Sequence, residues 1–165
     1  MNACERTIVK AQEITPIVEK LVEANVPFAM WSNKDVEMYD ALIESLQKTG
    51  FYVVVLKDIE SIAKCFNVSN PFVTIVDDDL HNLSLTKATG RKVAVVINNV
   101  ERLTEHALRF VYRVVDSRIV TNIHLDKEDV IVSIGKLNDA GRVESTSYSN
   151  HFYAVNSRFQ NYVYE

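Results

Sequence analysis

Three continuous apolar runs constrain the fold of this chain more than any other feature. The runs are "FYVVVLK" (51–57), "KVAVVIN" (92–98) and "DVIVSIG" (129–135), and each has the length of a single strand. A strand with apolar residues at successive positions is buried on both faces, which is typical of parallel sheets covered by helices. Because amphipathic helical segments separate these runs, the sequence predicts an α/β fold, a three-layer sandwich with a mostly parallel sheet.

The remaining segments fit the same alternation of helices and strands. "VPFAMWS" (26–32) and "RFQNYVYE" (158–165) predict a first and a last strand, and Thr15-Pro16 predicts a helix start with Thr15 as N-cap. Segment 71–85, "PFVTIVDDDLHNLSL", predicts a hairpin or a strand with a loop, and segment 138–150 predicts a polar loop. A helix after Ser32 should end at Gly50 and bury one apolar face, made of Val36, Tyr39, Leu42, Ile43 and Leu46.

Composition limits the number of domains and the kinds of partner. The length of 165 residues and an apolar content of 47% suit one domain that spans residues 1–165. The formal net charge of −4 argues against a general phosphate-binding surface, so we expect no nucleic-acid partner. The N-terminus has no apolar signal segment, and no apolar run approaches the ~18 residues that cross a bilayer. We therefore expect a cytoplasmic protein with no membrane partner.

Cysteine and histidine are too sparse to predict a metal or nucleophile site. Cys4 and Cys65 have no Cys or His at metal-ligand spacing beside them, which favours reduced structural thiols over a disulfide or zinc. Isolated histidines are typical of ordinary surface or core positions, so we expect no bound metal. The isolated histidines are His81, His106, His124 and His151.

The carboxyl ends of the strands are where a sheet of this class binds its ligands, and the end of the first strand is Ser32. A phosphate loop there needs GxxxxGKS/T, because glycines let backbone amides surround phosphate and the lysine neutralises its charge. "SNKDVEMY" (32–39) contains no glycine, and its Asp35 and Glu37 would repel phosphate. The sequence therefore predicts no nucleotide cofactor at this position.

Two amides, Asn98 and Asn99, end the run 92–98 and begin the next segment. In many α/β enzymes such a strand ends in Asp-Glu, one carboxylate holding magnesium and the other activating water. An amide cannot act as general base and is a poor ligand for a hard cation. The plain alternative is that Asn99 caps a helix starting at Val100 or Glu101.

Three segments, in their order along the chain, resemble segments of a known family. "VINNVERLTEHALRFVYRVVDSRIVTNIHL" (96–125) is similar to a strand ending in "LDEINRA", its helix and a short hairpin, "VIVSIGKLND" (130–139) to a sensor strand, and "NSRFQNYVYE" (156–165) to an "NRF" segment. From about residue 12 to its end, the chain thus resembles the nucleotide-binding core of AAA+ ATPases, most of all the MoxR-like branch. The resemblance implies a P-loop NTPase fold.

Carried over position by position, the resemblance implies that the catalytic residues have been replaced. Asn98 stands where the family has its magnesium-side Asp, Asn99 where it has the water-activating Glu, and Lys136 where it has the polar sensor Asn. The positions of the phosphate loop are degenerate as well. They are Ser32 at the first glycine, Asp35, Glu37, Met38 near the essential Lys, and Tyr39 near the Ser/Thr.

Two further features follow from the same resemblance. Arg158 matches a position that often supplies an arginine finger to the neighbouring subunit's nucleotide, although a surface arginine that pairs with an acid and opens a strand is the plain alternative. By the same resemblance, we expect no C-terminal helical lid of the kind that closes over adenine. The resemblance therefore implies a pseudo-ATPase, which keeps the fold and has no intact catalytic motif.

A rival interpretation concerns the three adjacent acids Asp77, Asp78 and Asp79. They resemble the acidic strand end of a phospho-acceptor receiver, but in receivers the acidic pair follows the first strand, whereas these lie mid-chain. A solvated acidic turn is the favoured interpretation, and a weak divalent-cation site is the alternative.

The function that remains is binding. One hypothesis is that the domain docks on a related ATPase or another host machine and modulates or inhibits it, a role that suits small stand-alone cores, including those carried by phages or mobile elements. The other hypothesis is a self-assembling scaffold that uses the AAA+-type subunit interface without nucleotide. The polar loop 138–150 is a further candidate for the recognition surface.

Overall fold

Six parallel strands form the central sheet of the structure, a computed structural model that describes residues 7–66, 77–143 and 150–165. The strands of the chain are Thr7–Val9 (β1), Phe28–Ser32 (β2), Tyr52–Leu56 (β3), Val93–Ile97 (β4), Ile119–Val120 (β5), Ile123–His124 (β6), Val130–Lys136 (β7) and Gln160–Tyr164 (β8). The sheet has the order β1-β8-β2-β7-β4-β3, and every neighbouring pair in it is parallel. β5 and β6 form a separate antiparallel hairpin.

Helices cover both faces of this sheet. They are Ile14–Glu23 (α1), Asp35–Lys48 (α2), Ile59–Phe66 (α3), Asp78–Ala88 (α4), Glu105–Ser117 (α5) and Asn150–Asn156 (α6), with short 3₁₀ turns at Ala11–Glu13 and Val100–Arg102. In β2, Phe28 and Met30 pack with α1 and α2, whereas Ala29 and Trp31 pack with the other four helices. The predicted α/β fold with a mostly parallel sheet is confirmed, and helices on both faces are compatible with a three-layer sandwich.

The predicted hairpin or strand at 71–85 is wrong where the structure describes it, because residues 78–88 form α4. Residues 71–76 lie outside the described residues. Asp77 is the N-cap of α4, and its side chain accepts the backbone N–H of Leu80 at 3.0 Å. Asp78 and Asp79 occupy the first turn, where the helix dipole favours negative charge. The acidic cluster thus marks the start of a helix.

Helix α1 also begins differently from the prediction. It begins at Ile14, directly after a 3₁₀ turn, so Thr15 lies inside the helix and does not cap it. The hydroxyl of Thr15 instead hydrogen-bonds to that of Ser45 at 2.8 Å, which joins α1 to α2. On α2, Val36 is 70% exposed although the periodicity places it on the buried face.

Two short elements were absent from the prediction: β1, a three-residue edge strand beside β8, and α6, which begins at the end of the predicted loop 138–150. "IVTNIHL" (119–125) forms a short hairpin, as the resemblance leads us to expect. Residues 144–149 of that loop lie outside the described residues. In the part of the chain that the structure describes, no helix has the length and apolar character needed to span a bilayer.

Candidate functional site

A cleft of about 300 Å³ lies at the carboxyl ends of the central strands. β7 pairs with β2 on one side and with β4 on the other, so the ends of these strands meet at one edge of the sheet. The cleft is lined by Asp35, Val36, Tyr39, Asn98, Asn99, Ile134, Gly135 and Lys136. The structure therefore brings together residues that the sequence assigned to a degenerate phosphate loop, a degenerate acidic pair and a degenerate sensor.

The connection between β2 and α2 is too short to be a phosphate loop. Ser32 ends β2 and Asp35 begins α2, which leaves only Asn33 and Lys34 between them. The buried Ser32 hydroxyl accepts the Lys34 backbone N–H at 2.9 Å and closes this turn. A phosphate loop needs a longer stretch of non-helical backbone whose N–H groups converge on the anion. Here α2 already occupies that stretch.

The side chains carried over from the phosphate loop separate into two groups. Asp35 and Tyr39 line the cleft, whereas Met38 is fully buried in the cluster beneath α1 and α2. Glu37 accepts the hydroxyl hydrogen of Tyr164 at 2.9 Å. Met38 therefore packs in the core, and neither it nor Glu37 lines the cleft.

Asn99 takes up a left-handed backbone conformation, with φ 55° and ψ 44°. It precedes the 3₁₀ turn at Val100, as the capping alternative expects, but its side chain makes no capping hydrogen bond. The cap of the long helix α5 is Thr104, whose hydroxyl accepts the Ala107 N–H at 3.3 Å. Asparagine tolerates left-handed geometry better than most residues do. The backbone conformation at 99, and not helix capping, is therefore the physical reason that an asparagine suits this position.

Glu101 lies near the cleft, and its burial is not expected from the sequence. It is only 2% exposed, and its two carboxylate oxygens have no hydrogen-bond partner among the described residues. The nearest cation is Arg102, whose Nε lies 3.8 Å from Oε1. Burial raises the pKa of Glu101, opposed by the nearby backbone N–H groups of Glu101 and Lys136 and by the charges of Arg102 and Lys136. No sequence signal marks it, because a Glu after a strand is usually exposed in a first turn.

Arg158 lies at the opposite edge of the sheet from the cleft. It precedes β8, whose first residue, Gln160, pairs with Phe28 at the amino end of β2. Its guanidinium lies 4.7 Å from the centre of the Tyr112 ring, donates a hydrogen bond to the hydroxyl of that tyrosine, and lies 3.2 Å from Asp116 Oδ1. Arg158 thus pairs with an acid on α5, as its plain alternative expects, while its side chain remains 41% exposed.

The acids of the rival interpretation have structural partners. Asp77 caps α4, and Asp79 Oδ2 accepts the backbone N–H of Lys57 at 3.2 Å. Within residues 7–66, 77–143 and 150–165, no group of three His, Cys, Asp or Glu side chains is placed to hold a metal ion. Cys4 lies outside the described residues, as do the side chains of Cys65 and His151.

The wider comparisons leave the chain without an assigned relative. A scan against models of protein families finds no match, and a search of curated proteins finds none either.

Proposed function

We propose that this chain is a catalytically inactive AAA+-like core of the MoxR-like type, which acts by binding a protein partner. The observation that carries the proposal is the cleft. The strand ends that the resemblance assigns to phosphate binding, metal binding and sensing surround one cavity, with Asn98, Asn99 and Lys136 on its wall. The carboxyl ends of adjacent parallel strands meet in any sheet of this class, so what supports the proposal is that the assigned positions occupy three such neighbouring ends.

The chemistry of the cleft supports the absence of turnover. Neither Asn98 nor Asn99 can take a proton from water, and Met38, which stands near the essential lysine, is buried in the core. The first turn of α2 carries Asp35 and Glu37, which oppose the bound anion that a helix N-terminus otherwise attracts. We therefore propose no nucleotide cofactor and no enzymatic activity.

The absence of a phosphate loop gives a direct prediction for nucleotide binding. Titration calorimetry with magnesium and ATP at millimolar concentration is expected to give no heat of binding. The double substitution Asn98→Asp and Asn99→Glu is expected to restore no hydrolysis, because the turn at Asn33 and Lys34 leaves no loop to hold phosphate. Saturable ATP binding by the wild-type chain, or hydrolysis by the double variant, would contradict the proposal.

The docking surface that we favour is the Arg158 face, defined as Arg158, Tyr112 and Asp116. The stacked and ion-paired guanidinium is held in one orientation, so little side-chain entropy remains to be lost on binding. Arginine and tyrosine are also the residue types most enriched at interface hot spots. The partner that we propose for this face is a related ATPase that presents a hydrogen-bond acceptor to the guanidinium.

Affinity capture with the whole chain, followed by titration of the ATPase recovered, tests this docking surface. Arg158→Ala is expected to weaken binding about 30-fold, because a central hot-spot side chain contributes ~2 kcal/mol. Lys48→Ala is the control, since Lys48 is also an exposed cation of an ion pair, with Glu44, but lies on α2, which covers the other face of the sheet. Equal affinity of the Arg158 and Lys48 variants would remove the face from the proposal, and recovery of no ATPase would remove the docking function.

Self-assembly is the second candidate, and the exposure of the outer strand β1 favours it. β1 is one of the two edge strands of the sheet, and its Ile8 is 55% exposed although it is apolar. An exposed apolar edge strand is a template for pairing with another chain. Native mass measurement without nucleotide distinguishes the candidates, because a scaffold requires a defined homo-oligomer, and a monomer at high concentration excludes it.

A further inference from the structure

The side chain of Glu101 is in an environment that does not suit an ionised carboxylate. It is 3% exposed, while its neighbour Arg102 is 69% exposed, and neither carboxylate oxygen is hydrogen-bonded among the described residues. A buried carboxylate without hydrogen bonds either takes up a proton or leaves its site, because desolvation penalises the charged form. Glu101 therefore has two competing states, one protonated and packed and the other ionised and displaced.

The position of Glu101 connects those states to the cleft. It lies in the 3₁₀ turn Val100–Arg102, which packs against β7 and directly follows the left-handed Asn99. The backbone N–H of Lys136, at the end of β7, lies near its carboxylate. Asn99 and Lys136 are both part of the wall of the cleft. The turn that carries Glu101 is therefore linked to both parts of the wall, because it follows Asn99 in the chain and packs against β7.

We propose that Glu101 is a proton-linked latch on the wall of the cleft. In its protonated form the side chain stays packed against β7, and the cleft has the shape seen here. In its ionised form it turns out to solvent and moves the Asn98–Asn99 segment with it. The charged groups that face it are Arg102 from its own turn and Lys136 from β7, and both favour the ionised form, whereas burial favours the protonated one.

The latch has a defined direction with pH. Burial raises the pKa of Glu101 in the folded protein above that of the unfolded chain. The stability that this group contributes is therefore fully present below the unfolded pKa, and it is lost as the pH rises through the folded pKa. Glu101→Gln removes the ionisation. At a pH above the folded pKa of Glu101, the melting temperature of this variant is expected to exceed that of the wild type by about 3 °C or more, and in acid the two should match.

Nuclear magnetic resonance measures the latch itself. In protein labelled at glutamate carboxyl carbons and asparagine amide nitrogens, titrated from about pH 4 to pH 9, the Glu101 carboxyl is expected to titrate above the usual carboxyl range. The side-chain amides of Asn98 and Asn99 are expected to shift with the same midpoint. In Glu101→Gln those amide shifts should disappear. Glu44→Gln, which changes an exposed glutamate paired with Lys48, is the matched control and should leave them intact.

Two results would overturn the latch. If Glu101 titrates in the usual carboxyl range, no second state is coupled to its burial. If it titrates high while Asn98 and Asn99 do not respond, Glu101 is a buried acid with no effect on the cleft. The wild-type titration decides between these outcomes even if Glu101→Gln fails to fold. The latch concerns the cleft and not the Arg158 face, so it is tested independently of docking.

Discussion

Replacement of Gly135 by alanine is expected to destabilise the protein by about 3 kcal/mol or more, the upper range for overpacking a core. A Cβ at this position would lie 2.1 Å from Cζ3 and 2.2 Å from Cε3 of the Trp31 ring. The ring has no room to move away, because its Nε1 donates to Asn161 at 2.8 Å and its edge packs on Phe152 with the ring centres 6.3 Å apart. Urea denaturation of the wild type and the variant measures the loss in free energy of unfolding.

Two further variants separate this steric effect from the general cost of replacing glycine. Gly90→Ala adds a Cβ that meets nothing within 4 Å, so only its left-handed φ of 75° opposes the change, at about 1 kcal/mol. Trp31→Leu removes the six-membered ring that the Cβ would meet, so Gly135→Ala should cost less in that background. Equal costs of Gly135→Ala in both backgrounds would show that the ring is not the cause.

The strands and helices of the protein differ in how well the sequence predicts them. β3, β4 and β7 were predictable because each is apolar at successive positions. β4 and β7 are buried on both faces, whereas β3, at the end of the sheet, is buried on one face and partly buried on the other. β1 has only three residues, too few for a pattern, and it exists because β8 offers an edge. α6 has seven residues, and it packs on α5, with Phe152 and Val155 buried in the core. Its stability comes from that contact, which a local pattern does not encode.

The strand ends that form the site were predictable from the sequence, whereas the pairing of those strands and the burial of Glu101 were not. Asn98 and Asn99 were identifiable because ligands in such sheets bind at carboxyl ends, and Lys136 was identifiable through the resemblance to a sensor strand. Their convergence depends on β7 lying between β2 and β4, a pairing between residues distant in the sequence. The burial of Glu101 depends on the turn that follows Asn99, whose left-handed φ has no local signature stronger than the asparagine itself.

The other large effect is expected at Asp129, at the opposite edge of the sheet. Asp129 is fully buried, Oδ1 accepts the Val93 N–H at 2.8 Å, and Oδ2 accepts the Asp126 N–H at 2.7 Å. Lys87 Nζ lies 2.7 Å from the same Oδ2, and the Arg118 guanidinium donates to the carbonyl oxygens of Asp126 and Asp129. The cluster thus ties the beginning of β4 to the beginning of β7, the two strands whose far ends carry the cleft.

Asp129→Ala is expected to lower the free energy of unfolding by about 3–5 kcal/mol, because it leaves two backbone N–H groups without their acceptor and removes the buried partner of the Lys87 ammonium. Asp126→Asn is the matched control: the Asp126 carboxylate also pairs with Lys87, at 2.6 Å, but is 73% exposed, so its loss should cost less than about 1 kcal/mol. Lys87→Met in the Asp129→Ala background should recover part of the loss, because it removes a charge that keeps only its exposed partner Asp126. A cost for Asp129→Ala as small as that for Asp126→Asn would mean that water replaces the buried carboxylate. In that case the strands beneath the cleft are held by their backbone hydrogen bonds and apolar packing, without this cluster.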